Sequence, residues 1–313
     1  MKRALGFACN GEQAASPERP PDVYRQPGPR TDPLEFGNRL DALPTDLPGL
    51  CAAIQGLLVH VLEARRYGVE VQEARRPEVE IGDVATLLRR IVALDGRPLT
   101  LARPPPLRVV ATCHGFSLLL CAALRRQGRA ARPRPGFAAY LVPGKYIDHW
   151  TCEVWDSDAG RWAIVDAQLD QVQRDGYAIA FDPCDVPEDQ FVLAGRAWTL
   201  ARAGVADPNR FGFARWWGLG YLRHQVLRDL FALNREELLP WHSSGLPEQE
   251  EQNVTEVQRA AVDRIAELTM AADAQLGRLR AALDELQGTG SPPDWAPWTP
   301  EQVQKMPRSG WNA

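Results

Sequence analysis

The chain has 313 residues, enough to bury a substantial core in one large domain or two small ones. Hydrophobic residues make up 45% and charged residues 24%, an ordinary globular balance, and a net charge of −4 supplies no basic field for DNA, RNA or an acidic membrane. No apolar run approaches the roughly 20 residues that a spanning helix needs, and the run 4–8 behind Lys2 and Arg3 is too short for a signal-peptide core, so a cytoplasmic protein is expected.

Residues 1–33 are rich in Pro, Arg, Gly and Glu without periodicity, and are expected to form a flexible arm. Asp46 can cap a helix that carries Leu50, Ile54, Leu57, Val61 and Leu62 at three-and-four spacing. Asp83 can cap another through Val84, Leu87, Leu88 and Ile91, closed by Gly96. Pro104, Pro105 and Pro106 then impose an extended approach. Residues 112–127 return to helical spacing, with Phe116, Leu119, Leu120, Ala123 and Leu124 on one face and Gly128 as the stop.

Beyond Arg129 the pattern becomes strand-like. Strands are expected over 137–142, 149–155 and 162–166, separated by Pro143-Gly144 and by the turn 156–160. One helix followed by an antiparallel meander is the signature of an α+β fold. After Pro187 the chain reads as helical again, with the aromatic cluster Trp198, Phe211, Phe213, Trp216, Trp217 and Tyr221. Core packing is the expected use of these rings, with Trp217 as the candidate for walling a cleft. From Val257, the positions Ala261, Ile265, Leu268, Ala272, Leu276, Leu279, Leu283 and Leu286 form one apolar stripe, read as a single long helix over 246–290 that packs on its own domain. This leaves a catalytic domain over 34–245 and a surface tail over 291–313.

The six cysteines are Cys9, Cys51, Cys113, Cys121, Cys152 and Cys184, too sparse for a disulfide framework. Cys51 and Cys121 lie in apolar helical runs and read as small buried hydrophobes. Cys113 differs, because it stands at the expected start of the 112–127 helix, where unpaired amides and the helix dipole favour a thiolate. His149 begins one strand and Asp166 ends the next. A buried carboxylate after the apolar run 162–165 needs a partner, and adjacent strands place the two about 5 Å apart. Nucleophile, base and orienter thus occur in chain order. His149 and Cys152 have metal-ligand spacing, but strand alternation sends them to opposite faces and no CxxC pair is present, which disfavours zinc.

The segment 108–128, with Thr112-Cys113-His114-Gly115, resembles the nucleophile helix of the transglutaminase-like superfamily. Segments 136–140 and 148–155, with Asp148-His149-Trp150, resemble its histidine strand, and 160–166, with Gly160-Arg161-Trp162 and Asp166, resembles its aspartate strand. All three blocks occur in order at the compact spacing typical of bacterial members. The resemblance implies a papain-like core, with a nucleophile helix packed on an antiparallel sheet, and a Cys113–His149–Asp166 triad. Two departures stand out: no Trp precedes the nucleophile to stabilise an oxyanion, and Gln55 is the conceivable but unsupported substitute, so the second oxyanion donor is unassigned. Nothing resembles the calcium-binding parts of the animal enzymes.

The expected chemistry is acyl transfer or hydrolysis at an amide or thioester carbonyl through a thioester acyl-enzyme, with no cofactor and no metal. Tyr140, Trp150, Gln168 and Trp217 are the candidates for contacting substrate, and Asp148, Glu153 and Asp170 for tuning the site. The expected partner is a peptide, a protein or a small amide or amine, with no nucleic acid and no membrane, and the protein itself is expected to be a monomer or homodimer. The alternative is a transglutaminase-like scaffold that binds without turnover.

Overall fold

The computed structural model describes residues 20–241 and 255–288. A short helix α1 (Gly37–Leu40) leads to α2 (Leu47–Gln55), whose Asp46 side chain accepts from the Gly49 amide at 2.8 Å. After Gly56 the chain enters a strand, β1 (Leu58–His60). The helix expected to run on through Leu62 therefore ends about two turns early. The sequence at 57–62 is apolar throughout, so periodicity alone cannot separate helix from buried strand. A parallel partner decides it: β1 pairs with β2 (Val109–Ala111), Leu58 opposite Val109 and His60 opposite Ala111. Between them lies α3 (Val84–Leu94), capped by Asp83 through the Thr86 amide at 2.8 Å, as its sequence indicates.

One residue beyond β2, α4 (Cys113–Arg126) begins and runs to within two residues of Gly128. Its described side chains are buried from Cys113 to Arg125, so this is a central helix, apolar almost all round. A mixed six-stranded sheet packs against it, built from β3 (Ala131–Ala138), β4 (Tyr146–Asp156), β5 (Arg161–Val165) and, further on, β6 (Phe191–Leu193), β7 (Phe211–Phe213) and β8 (Trp216–Trp217). The spatial order is β6-β3-β4-β7-β8, with β5 also on β4. The first strand of the sheet starts at Ala131 rather than at the expected Phe137. Pro133 and Pro135 hid it, because proline is excluded from strands paired on both sides. Here β6 pairs only with 136–138, so both prolines sit where β3 has a single neighbour.

Four larger helices and one small one complete the fold. α5 (Gln171–Tyr177) follows β5, α6 (Ala194–Arg202) follows β6, and α7 (Leu219–Leu233), α8 (Glu256–Met270) and α9 (Leu276–Gly288) cover the face of the sheet opposite α4. One core layer joins α2, α3 and α4 to Cys152, Val154 and Val165, and the other joins Phe137, Trp155 and Phe211 to Trp198, Leu222, Leu230, Ile265 and Leu283. The C-terminal stripe is not one helix: it breaks at Ala271, and a 3₁₀ turn at Ala272–Ala274 separates α8 from α9. The turn buries Ala272 and brings Asp273 to Arg132 and Trp162, each at 2.6 Å. Residues 246–254 and the tail 291–313 lie outside the described residues, as do 1–19 of the expected arm. The described part of that arm is packed: Tyr24 is fully buried and donates its hydroxyl to the Leu233 carbonyl at 3.0 Å. Among the described residues, no helix is long and apolar enough to cross a membrane.

Candidate active site

β2 delivers the chain directly to Cys113. Val109, Val110 and Ala111 are buried, Thr112 is extended, and Cys113 is the first residue of α4. The Thr112 side chain makes no capping hydrogen bond, so the first-turn amides of a 14-residue helix are not spent on a cap. Ser117, one turn on, fixes the helix to the sheet by donating its hydroxyl to the Thr151 carbonyl at 2.5 Å. That carbonyl is reachable because one edge of β4 pairs with β7 at Tyr146 and Ile147 and with β5 from Cys152 onward, leaving 148–151 open between them.

His149 stands on this open stretch and Asp166 follows β5 directly. Val165 lies opposite Cys152, so Asp166 lies diagonally across from His149. His149 Nε2 is 2.8 Å from Asp166 Oδ2, and the two side chains are 3% and 1% exposed. Cys113 lies close enough to the same imidazole to help raise its pKa. Burial disfavours an imidazolium, but the Asp166 carboxylate, its hydrogen bond to the ring and the nearby Cys113 outweigh it and raise the His149 pKa to about 10. Burial likewise opposes the Asp166 carboxylate, and the neighbouring His149 cation more than compensates, holding the carboxyl below its usual range. Asp166 is further anchored: Oδ2 accepts from the Tyr140 hydroxyl at 2.6 Å, Oδ1 accepts from the Gln168 amide at 3.0 Å, and its own N–H donates to the Pro183 carbonyl at 2.8 Å.

Of the side chains expected to meet substrate, Tyr140 is at the site, but its hydroxyl is directed to Asp166. Burial, Asp166 and Cys113 push its pKa well above the ordinary phenol value, so it remains a donor. Trp150 is sealed in the core at 1% exposure, packed with Cys113 and Ala232 and edge-on to His114 at 4.8 Å. It packs beneath Cys113 and offers no surface to a ligand. Gln168 is also buried and donates its side-chain amide to Gln173 Oε1 at 2.9 Å. Trp217 lies in the β7–β8 hairpin at the sheet's end, donating to the Ala214 carbonyl at 2.6 Å with Lys145 Nζ 4.5 Å above its ring. Gln55 donates to the Ala167 carbonyl at 3.1 Å, bracing the loop after Asp166.

The three acids considered as tuning groups have structural partners. Asp148 takes Tyr221, Gln225 and Arg228 of α7. Glu153 accepts from Arg132 and from Arg134 at 2.6 Å, and Asp170 caps α5 through the Gln173 amide at 3.0 Å. One residue near His149 and Asp166 escaped the sequence reading. His60, at the end of β1, is buried and close enough to His149 and Asp166 to feel both charges. Its signal was the β-branched run around it, Val59 and Val61, which favours a strand.

No family model matches the chain, and no curated protein matches it. Among solved structures it is similar to one described as a "Putative Cysteine Protease from Cytophaga hutchinsonii", with 13% identity and a TM-score of 0.30 over 55% of this chain and 44% of that one.

Proposed function

We propose that the chain is a cysteine enzyme of the transglutaminase-like kind that transfers an acyl group from an amide or thioester through a Cys113 thioester. One observation carries the reading: an anchored His149–Asp166 pair, 2.8 Å apart, close to a cysteine at the start of a long buried helix. An imidazolium beside a thiol and a helix dipole behind it both favour the sulfur anion.

In the first half-reaction the Cys113 sulfur bonds to the carbonyl carbon and the carbonyl electron pair moves onto oxygen. Collapse of that intermediate breaks the C–N bond, and His149 gives its proton to the departing amine. In the second half, water or an amine attacks the thioester, His149 takes the proton back, and the thiolate leaves. Asp166 keeps the ring oriented throughout, and Tyr140 holds Asp166. The Cys113 amide, at the first position of α4, supplies one oxyanion donor.

The test is exposure to p-nitrophenyl acetate, followed by mass analysis of the peptide that contains Cys113. The expected result is a burst of p-nitrophenolate with an acetyl adduct on Cys113, both absent from His149→Ala. An unmodified Cys113 with no burst would refute the reading.

A further inference from the structure

A nucleophile at a helix start supplies one backbone donor to a developing oxyanion, and such sites work far better with two. The two positions usual for a second donor fail here, since no Trp precedes Cys113 and the Gln55 side chain is turned to Ala167. The parallel pair β1–β2 brings another group to the same place. His60 lies opposite Ala111, two residues before the nucleophile, and the Val61 amide donates to the Ala111 carbonyl at 2.9 Å. Both strands therefore end side by side at the N-terminus of α4.

The His60 ring is fixed in one tautomer. The Leu62 amide donates to Nδ1 at 3.3 Å, so Nδ1 is the acceptor and Nε2 carries the hydrogen. Nε2 has no hydrogen-bond partner among the described residues, yet it is absent from the sealed, unsatisfied polar atoms of the interior, so it retains access to solvent. A structural histidine would direct that N–H to a carbonyl or carboxylate. Burial holds this imidazole neutral, with a pKa lowered to about 3, the His149 cation adding to the effect and Asp166 opposing it. It cannot serve as the base, because its acceptor nitrogen is occupied and no carboxylate stands behind it. A neutral donor is also what the site can tolerate, since a second cation there would compete with His149 for Asp166.

We propose that His60 Nε2–H is the second oxyanion donor, a catalytic residue that binds the carbonyl oxygen of the substrate while Cys113 attacks. The proposal rests on the reading of Cys113 as nucleophile. As the sulfur–carbon bond forms, the oxygen takes the carbonyl electron pair and accepts hydrogen bonds from the Cys113 amide and from His60. On collapse the pair returns, and no proton leaves His60.

Two reagents separate this role from the others. Alkylation of Cys113 by iodoacetamide needs the thiolate but forms no oxyanion, whereas acetylation by p-nitrophenyl acetate needs both. His60→Leu fills the ring's volume without a donor, and His60→Gln restores an N–H donor. The expected result is that His60→Leu slows acetylation by about a hundred-fold to a thousand-fold. Its alkylation should stay within about two-fold of the parent and its KM near the parent's, and His60→Gln should recover much of the loss. If His60→Leu acetylates at the parental rate, the proposal is overturned and the nucleophile reading stands. If both reactions fall together in His60→Leu and His60→Gln alike, His60 supports the fold or the thiolate and the proposal is likewise overturned. A parent protein inert to both reagents would instead refute the nucleophile reading and take this one with it.

Discussion

His149 and Asp166 form a contact of 2.8 Å with both side chains almost wholly removed from water. The pair ties the imidazole charge to the stability of the fold. The His149 pKa rises from 6.5 to about 10 on folding, so its contribution is complete below pH 6.5 and is lost as pH climbs toward about 10. Asp166 acts in the opposite sense: its carboxyl is held below its usual range, and its contribution vanishes as pH falls through that lowered value. The unfolding free energy of the parent, measured against His149→Gln, should therefore decline across the alkaline window by up to about 1.4 kcal/mol per pH unit. Denaturant titrations that give a flat difference across that window would mean the pair is not ionised.

Tyr140→Phe removes a donor from the oxygen that His149 also engages. The Asp166 carboxyl should become easier to protonate, moving the acid limb of Cys113 alkylation to higher pH, with a stability loss of about 1 kcal/mol. An acid limb that coincides with the parent's would assign the hydroxyl a purely structural part.

Two cysteines eight positions apart on α4 should behave differently. Cys113→Ala should abolish acetyl transfer while leaving thermal unfolding nearly unchanged. Cys121 is fully buried and hydrogen-bonds the Ala131 carbonyl at 3.4 Å, so Cys121→Ala should cost about 1 kcal/mol and leave the acetylation burst intact. Equal loss of the burst in both variants would remove the distinction.

Gly136 lies opposite His149, and a methyl group there would come within 2.6 Å of both the Phe191 ring and the Val192 carbonyl. Phe191 in turn lies edge-on to His149 at 6.3 Å. Gly136→Ala should therefore destabilise the protein by about 1–3 kcal/mol and slow alkylation of Cys113 by displacing the base. A variant with parental alkylation kinetics and a lowered melting temperature would confine the damage to β6.

The parts legible in the sequence were those whose local signals agreed. Asp83 and the apolar spacing behind it specify α3, and 112–127 specifies α4 to within one residue at each end. The Asp166 position could be read because an acid after an apolar strand needs a partner, and the partner is where strand pairing puts it. Failures came where tertiary pairing overrode local pattern. Residues 57–62 satisfy a helical spacing, and only their parallel neighbour makes them a strand. Reading them as helix concealed His60, since a histidine on a helix face has no reason to lie beside β2, opposite Ala111. Pro133 and Pro135 argued against a strand that the sheet accepts because its edge is free there. Ala271 interrupts a stripe with no proline or glycine to mark the break.

The Arg132 and Arg134 side chains bear on how the chain can be divided. Both are buried on β3, and their carboxylate partners come from three places: Glu153 in the sheet, Asp229 in α7, and Asp273 beyond α8. Trp198 Nε1 likewise donates to Asp263 of α8 at 2.7 Å, and Asn234 donates to the Leu279 carbonyl of α9 at 3.2 Å. A fragment truncated after α7 would strip Arg132 of one of its two counter-ions and open Trp162 and Trp198 to water, an expensive exposure for charges and rings matured in the interior. In gene-architecture terms α8 and α9 are not a detachable module that recombination could move to another protein, and an expression boundary drawn before Thr255 would cut through the core.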